Sequence, residues 1–203
     1  MKMKALSSFA FAFALAFGGV GVARAGHAGA VPSLPFCTSG YAAGDACFLT
    51  LKNGDFDARM LASWGRVGLP GYGIAADGST YAALPLGSGI QQAVYAHGGL
   101  KTAEAVYTLR FRIRAEHAPA YVRGTLAMST AERTDLVPLG HVTSMALTDE
   151  WSTVELSVQG RPYAAPAHVL VTIANEGGTP ATVQVDDVVL IQSSDAEEVH
   201  VDF

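Results

Sequence analysis

This sequence predicts an all-β fold, a β-sandwich jelly roll of two antiparallel sheets. Three observations predict it. Residues 107–114 alternate apolar and polar side chains with period two, turn residues recur at short intervals, and two short acidic motifs stand near opposite ends of the domain.

The length of 203 residues accommodates one domain with a full core plus a targeting segment, and is too short for two ordinary domains. Half of the residues are hydrophobic and 15% are charged, the balance of a folded globule. The 22 glycines and 9 prolines suit many short strands joined by turns.

Residues 1–25 read as a secretory signal. Lys2 and Lys4 give a positive start, residues 5–22 are apolar, and Ala23-Arg24-Ala25 is a small-x-small cleavage pattern, with Ala28-Gly29-Ala30 as a second candidate. The competing reading is an uncleaved membrane anchor, because the apolar run approaches the length of a span. Cleavage implies a secreted or periplasmic protein with no membrane insertion afterwards. Losing Lys2, Lys4 and Arg24 leaves ten of the 13 basic residues against 18 acidic ones, a formal charge of −8. That balance gives no electrostatic reason to bind nucleic acid or anionic lipid.

Residues 26–47 read as a linker or arm. The two cysteines, Cys37 and Cys47, are expected to close a small disulfide loop that fastens this arm ahead of the domain, as suits an exported protein. Residues 48–52 are then a first strand. Asn53-Gly54 follows as a turn in which glycine permits a positive φ, with Phe56 as its buried anchor. Trp64 is expected in the core, since large aromatics are core-forming far more often than not. After it comes a glycine-rich stretch with turn chemistry at Pro70-Gly71-Tyr72-Gly73. Tyr72 and Tyr81 fall in this loop-rich part, where exposed flat rings are the first suspects for stacking on a ligand. Residues 90–95 are a strand.

The clearest periodicity follows. Tyr107, Leu109, Phe111 and Ile113 alternate with Thr108, Arg110, Arg112 and Arg114, the pattern of a half-buried strand. Three arginines therefore project from one face of a sheet, and Arg123 on the next strand, residues 121–129, is a candidate to join them. Guanidinium groups pair bidentately with the carboxylate or sulfate of an anionic glycan. They pair equally with carboxylates across strands, such as Glu155, and outward charges are the default on a solvated sheet face.

Residues 131–149 are too irregular to place. Residues 151–158 are a strand with Val154, Leu156 and Val158 inward. Arg161-Pro162-Tyr163 is a connection, and Tyr163 is a further candidate ring for stacking on a ligand. Residues 168–174 are strongly apolar and expected to be buried on both faces, residues 176–180 are expected to be a hairpin turn, and residues 182–191 close the sheet. Residues 193–203 are an acidic tail.

Catalytic patterns are scarce. The chain has no His-Glu-x-x-His, no Gly-x-Ser-x-Gly and no four-cysteine set, and its six histidines have no metal-ligand spacing. A glycosidase needs two carboxylates across the scissile bond; Asp77, Glu116, Asp149 and Glu150 are available.

Asn53-Gly54-Asp55-Phe56-Asp57 with Trp64, read together with Val183-Gln184-Val185-Asp186-Asp187-Val188-Val189-Leu190, resembles the opening and closing signatures of carbohydrate-binding modules of the family 4/9 and 22 type. These are galactose-binding-like jelly rolls. Gln91-Gln92-Ala93-Val94, a Gly pair, Tyr107-Thr108-Leu109-Arg110-Phe111 and Trp151 keep the family's order between them, so the resemblance covers residues 48–192. It implies a structural calcium ion clipping the ends together, with Asp57 and Asp186 or Asp187 as its carboxylates, although the family usually has Glu where this chain has Asp57. It also implies that Trp151 is structural. The expected function is that of an exported, non-catalytic polysaccharide-binding protein, with Tyr72, Tyr81, Tyr163, Arg110, Arg112 and Arg114 as ligand contacts. The alternatives are a structural or protein-interaction sandwich docking on an envelope protein and, third, a small glycan hydrolase or lyase.

Overall fold

The computed structural model describes residues 34–37, 46–58, 60–96, 105–130, 133–148, 150–161 and 167–193; the expected signal, Tyr163, Asp149 and the tail beyond residue 193 lie outside them. The strands are β1 (Cys47–Leu49), β2 (Gly65–Val67), β3 (Gly71–Ile74), β4 (Thr80–Leu84), β5 (Gly89–Ala96), β6 (Val106–Ala115), β7 (Ala120–Thr130), β8 (Arg133–Ala146), β9 (Ser152–Gln159), β10 (Ala167–Gly177) and β11 (Val183–Ser193). All pairings between them are antiparallel, and they form the predicted sandwich. One sheet has the order β3-β4-β11-β6-β9, with β1 pairing β11 beyond the end of β4; the other has the order β2-β5-β10-β7-β8. Among the described residues no helix is long and apolar enough to cross a membrane.

The period-two strand supplies the core. Tyr107, Leu109, Phe111 and Ile113 on β6 are fully buried in one cluster with Val169, Val171 and Ile173 of β10 and Leu126 and Met128 of β7. Removing each such side chain from water contributes about 1.5–3 kcal/mol. Val154 is buried, and Leu156 and Val158 pack against the same cluster from β9.

Four expectations are corrected. Residues 168–174 are buried on one face only: His168, Leu170, Thr172 and Ala174 are half-buried, because just one side of β10 meets the other sheet. Residues 176–180 are not a hairpin turn but a crossover from β10 in one sheet to β11 in the other. Buried Asn175 fixes that crossing, its amide donating to the carbonyls of Leu84 at 2.9 Å and Ala181 at 2.8 Å. The unplaced middle section forms β8, an edge strand whose Pro138 sits at an irregularity opposite Ala127, where a missing N–H is tolerated. Arg123 belongs to the second sheet, 3.3 Å from Glu176, and does not join the other arginines.

The Cys37–Cys47 disulfide forms as expected, but Cys47 lies within β1 and not ahead of the domain. The bond therefore fastens the arm directly to the first sheet. Phe48 donates to the Pro35 carbonyl and accepts from Cys37, both at 2.9 Å, while Phe48 and Ile191 form a small apolar cluster with Leu34.

Candidate functional site

The two end motifs meet. The Val188 N–H donates to the Gly54 carbonyl at 2.9 Å, and the Trp64 indole donates to the Asn53 carbonyl at 2.9 Å. Phe56 is fully buried with its ring 5.8 Å from that of Trp64, so both are core residues as expected. The positive φ angles fall on Asn53 (56°) and Phe56 (54°), not on Gly54. What demands glycine at residue 54 is space, since a Cβ would run into the Val188 carbonyl. Asn53 tolerates its conformation because its side chain is locally bonded, donating to Met60 O and Ala62 O and accepting from Ala58 N.

On β11 this junction coincides with a bulge. Between the pairs Asp186–Arg112 and Val189–Arg110, two residues, Asp187 and Val188, stand opposite Phe111 alone, with Asp187 at φ 50°. The bulge gathers both carboxyls by Arg112. Asp187 Oδ2 accepts from Arg112 Nη1 at 2.8 Å, and Asp186 Oδ1 accepts from the Asp187 N–H at 2.8 Å. Burial, followed by the Asp187 charge, pushes the Asp186 carboxyl up to about 7. Asp55, also near enough to raise Asp186, lines a 240 Å³ hollow with Asn53, Gly54 and Asp187. Asp57 is exposed, and its N–H donates to Asp55 Oδ1 at 3.3 Å. Of the three expected calcium ligands, Asp186 and Asp187 come together, and it is Asp55 and not Asp57 that lies beside them. Among the described residues no three acidic, histidine or cysteine side chains converge as a metal-ligand group.

The outward face of β6 leads from this junction to an aromatic pair. Arg112 and Arg114 hold their guanidinium carbons 5.0 and 4.9 Å from the ring centre of Trp151, a cation–π arrangement. Trp151, which the resemblance made structural, is half-buried and lies just before β9, outside the core cluster. Tyr81 meets its ring edge-on at 6.4 Å. Arg114 donates twice to Gln184 Oε1 at 2.9 and 2.7 Å. Gln184 Nε2 in turn donates to Glu116 Oε1 at 2.8 Å, as does the Tyr81 hydroxyl at 3.4 Å. Burial and the Glu116 charge raise Tyr81, so its hydroxyl stays protonated. Arg110 stands directly across from Glu155, as the cross-strand reading expected.

The structure thus brings Tyr81, Arg112 and Arg114 together and keeps Arg110 on the same face. Tyr81, expected as an exposed loop ring, is instead a buried residue of strand β4. Tyr72 is half exposed on strand β3, not in a loop, and pairs with Ala82, out of phase with Tyr81. Trp151 and Gln184 were missed as site residues, and Glu116 was weighed only as a carboxylate for a glycosidase. The one sequence signal for them was polar alternation on β11, which places Gln184 two residues before Asp186.

Together these elements define a two-sheet antiparallel β-sandwich that carries, on one outer face, an indole seated on paired charges. By sequence, no protein-family model and no curated protein matches the chain. Among solved structures it is similar to CBM4, a family 4 carbohydrate-binding module, at 17% identity over 70% of this chain and 98% of that one, with a TM-score of 0.50. It is similar as well to the Stig cyclase Fisc from Fischerella sp. TAU, in complex with (3Z)-3-(1-methyl-2-pyrrolidinylidene)-3H-indole, at 15% identity over 73% and 98% of the two chains, with a TM-score of 0.55. The CBM22-2 xylan-binding domain from Paenibacillus barcinonensis Xyn10C matches at 14% identity over 68% and 96%, with a TM-score of 0.48. At these identities the likeness shows the fold, one used by carbohydrate-binding modules and by cyclases.

Proposed function

We propose that this protein is an exported, non-catalytic polysaccharide-binding module that uses the outer face of the six-stranded sheet. The observation that carries the reading is Trp151, a half-buried indole outside the core, held on two guanidiniums and braced by the edge of Tyr81. Such a ring offers the apolar surface on which a pyranose stacks, with Glu116 and Gln184 beside it as hydrogen-bonding groups. Export is supported by the disulfide, a bond characteristic of oxidising compartments.

A hydrolase needs two carboxylates free for acid–base work; of those near this face Glu150 and Glu155 are exposed, while Glu116 and Asp77 have other partners. Glu116 is bonded to Gln184 and Tyr81, and Asp77 caps its own hairpin turn by accepting from Ser79 at 3.0 and 2.7 Å. Arg112 and Arg114 are also bonded within the sheet, which supports stacking in preference to pairing with an anionic glycan. The same pairing favours the second reading, an envelope protein-interaction sandwich that keeps the scaffold without a sugar.

A structural calcium ion at the end junction is the other part of the proposal. Asp186 and Asp187 with nearby main-chain oxygens are the groups that would hold it, and the buried carboxyl of Asp186 among like charges supports a cation there. A melting temperature that does not change in excess chelator would remove the ion.

The test of binding is affinity electrophoresis through gels containing neutral and anionic polysaccharides, comparing the protein with Trp151→Ala. Retardation that the variant loses and salt leaves intact supports stacking. Uniform mobility across the panel moves the reading to the interaction sandwich.

A further inference from the structure

A second cleft, of about 470 Å³, lies at the rim of the other sheet, and Thr50, Lys52, Ser63, Gln92 and Tyr95 line it. Its size falls within the range of small-molecule sites. Three features of the chain converge there. First, β2 pairs with β5 only over Gly89–Gln91, so among the described residues no strand covers the edge of β5 from Gln92 onward. Among the described residues, its main-chain groups on that side have no strand partner and suit hydroxyl partners. Second, the buried Gln92 amide clamps Lys52 through both main-chain groups, accepting from Lys52 N at 2.7 Å and donating to Lys52 O at 3.0 Å. That clamp fixes where the lysine side chain departs, and among the described residues no carboxylate pairs with its ammonium. Third, Ser63 is held at φ 71°, a conformation unfavourable for a residue with a side chain, and such strain concentrates at ligand sites.

Tyr95, 63% exposed, also lines the cleft, and its ring rests 4.3 Å from the His168 ring, which braces it. An ammonium, two hydroxyls, an open strand edge and a fixed flat ring form one set of groups. We propose that this cleft binds an acidic sugar residue, a uronate, with Lys52 on its carboxylate, Tyr95 against its ring face, and Thr50, Ser63 and the β5 edge on its hydroxyls. The inference rests on the polysaccharide reading for its ligand class, but its geometry is independent of the Trp151 face.

The experiment is a proton–nitrogen correlation titration of the protein with digalacturonate and with galactobiose, its neutral counterpart. The expected result is that the amides of Lys52, Ser63 and Tyr95 shift with digalacturonate and that galactobiose binds there about tenfold more weakly. Lys52→Met and Tyr95→Ala should each lose the shifts while the rest of the spectrum keeps its dispersion, and Trp151→Ala should retain them. Equal affinity for the two sugars, shifts confined to the Trp151 face, or shifts unchanged in Lys52→Met would each overturn the assignment. Cleft shifts without retardation by any polysaccharide would sink the Trp151 reading and leave this one standing.

Discussion

Gly54 and Val188 meet backbone to backbone: the Val188 N–H donates to the Gly54 carbonyl at 2.9 Å, and the Val188 carbonyl fills the place of a side chain on Gly54. Residues far apart in sequence thereby close the sandwich at the bulge that also orients Asp186, Asp187 and Arg112.

Gly54→Ala should be destabilising for that reason alone. The added methyl must displace main chain on β11, and overpacking of this kind costs about 1–3 kcal/mol. Urea unfolding measures it, and an unchanged midpoint would mean that the junction is loose.

The two tryptophans should respond in opposite ways. Trp64→Ala empties a core position and is expected to cost about 3–5 kcal/mol. Trp151→Ala removes two cation–π contacts on a half-solvated face and should cost only about 1–2 kcal/mol, while abolishing polysaccharide binding. Denaturant unfolding with the gel assay reads both; equal losses of stability would contradict the placement of Trp151 outside the core.

Reducing the disulfide should lower stability without dissolving the sheets. Cys37 and Cys47 are ten residues apart, a short loop for which chain entropy gives about 2–3 kcal/mol. Thermal melts with and without reductant, alongside Cys47→Ser, give the value. A melt insensitive to reductant would show that the arm holds by its Phe48 contacts alone.

Stability should fall as pH rises from about 4 to about 7, measured in chelator. Below 3.8 Asp186 is protonated both folded and unfolded; above it the unfolded chain ionises while burial, then the Asp187 charge, keeps the folded carboxyl protonated up to about 7. Asp186→Asn retains an acceptor for the Asp187 N–H and removes the titration. The variant should match the parent near pH 4 and exceed it above pH 7. Parallel profiles would place Asp186 in water, and flattening of the parent's slope on adding calcium would support the ion.

The sequence by itself determined what is local. Alternation on β6 gave the buried row Tyr107 to Ile113 and the outward arginines, because a strand turns successive side chains to opposite faces whatever it pairs with. Composition and position gave buried Phe56 and Trp64 and the cysteine pair. Tertiary structure decided whatever depends on which strands become neighbours. It put Arg123 in the second sheet, made residues 176–180 a crossover, and laid the 14-residue β8 along an edge where one exposed side and Pro138 obscure any pattern. It also set Trp151 on Arg112 and Arg114, and joined Glu116 to Gln184 across 68 residues. Register between distant strands fixes those contacts, and no window of local sequence contains both partners.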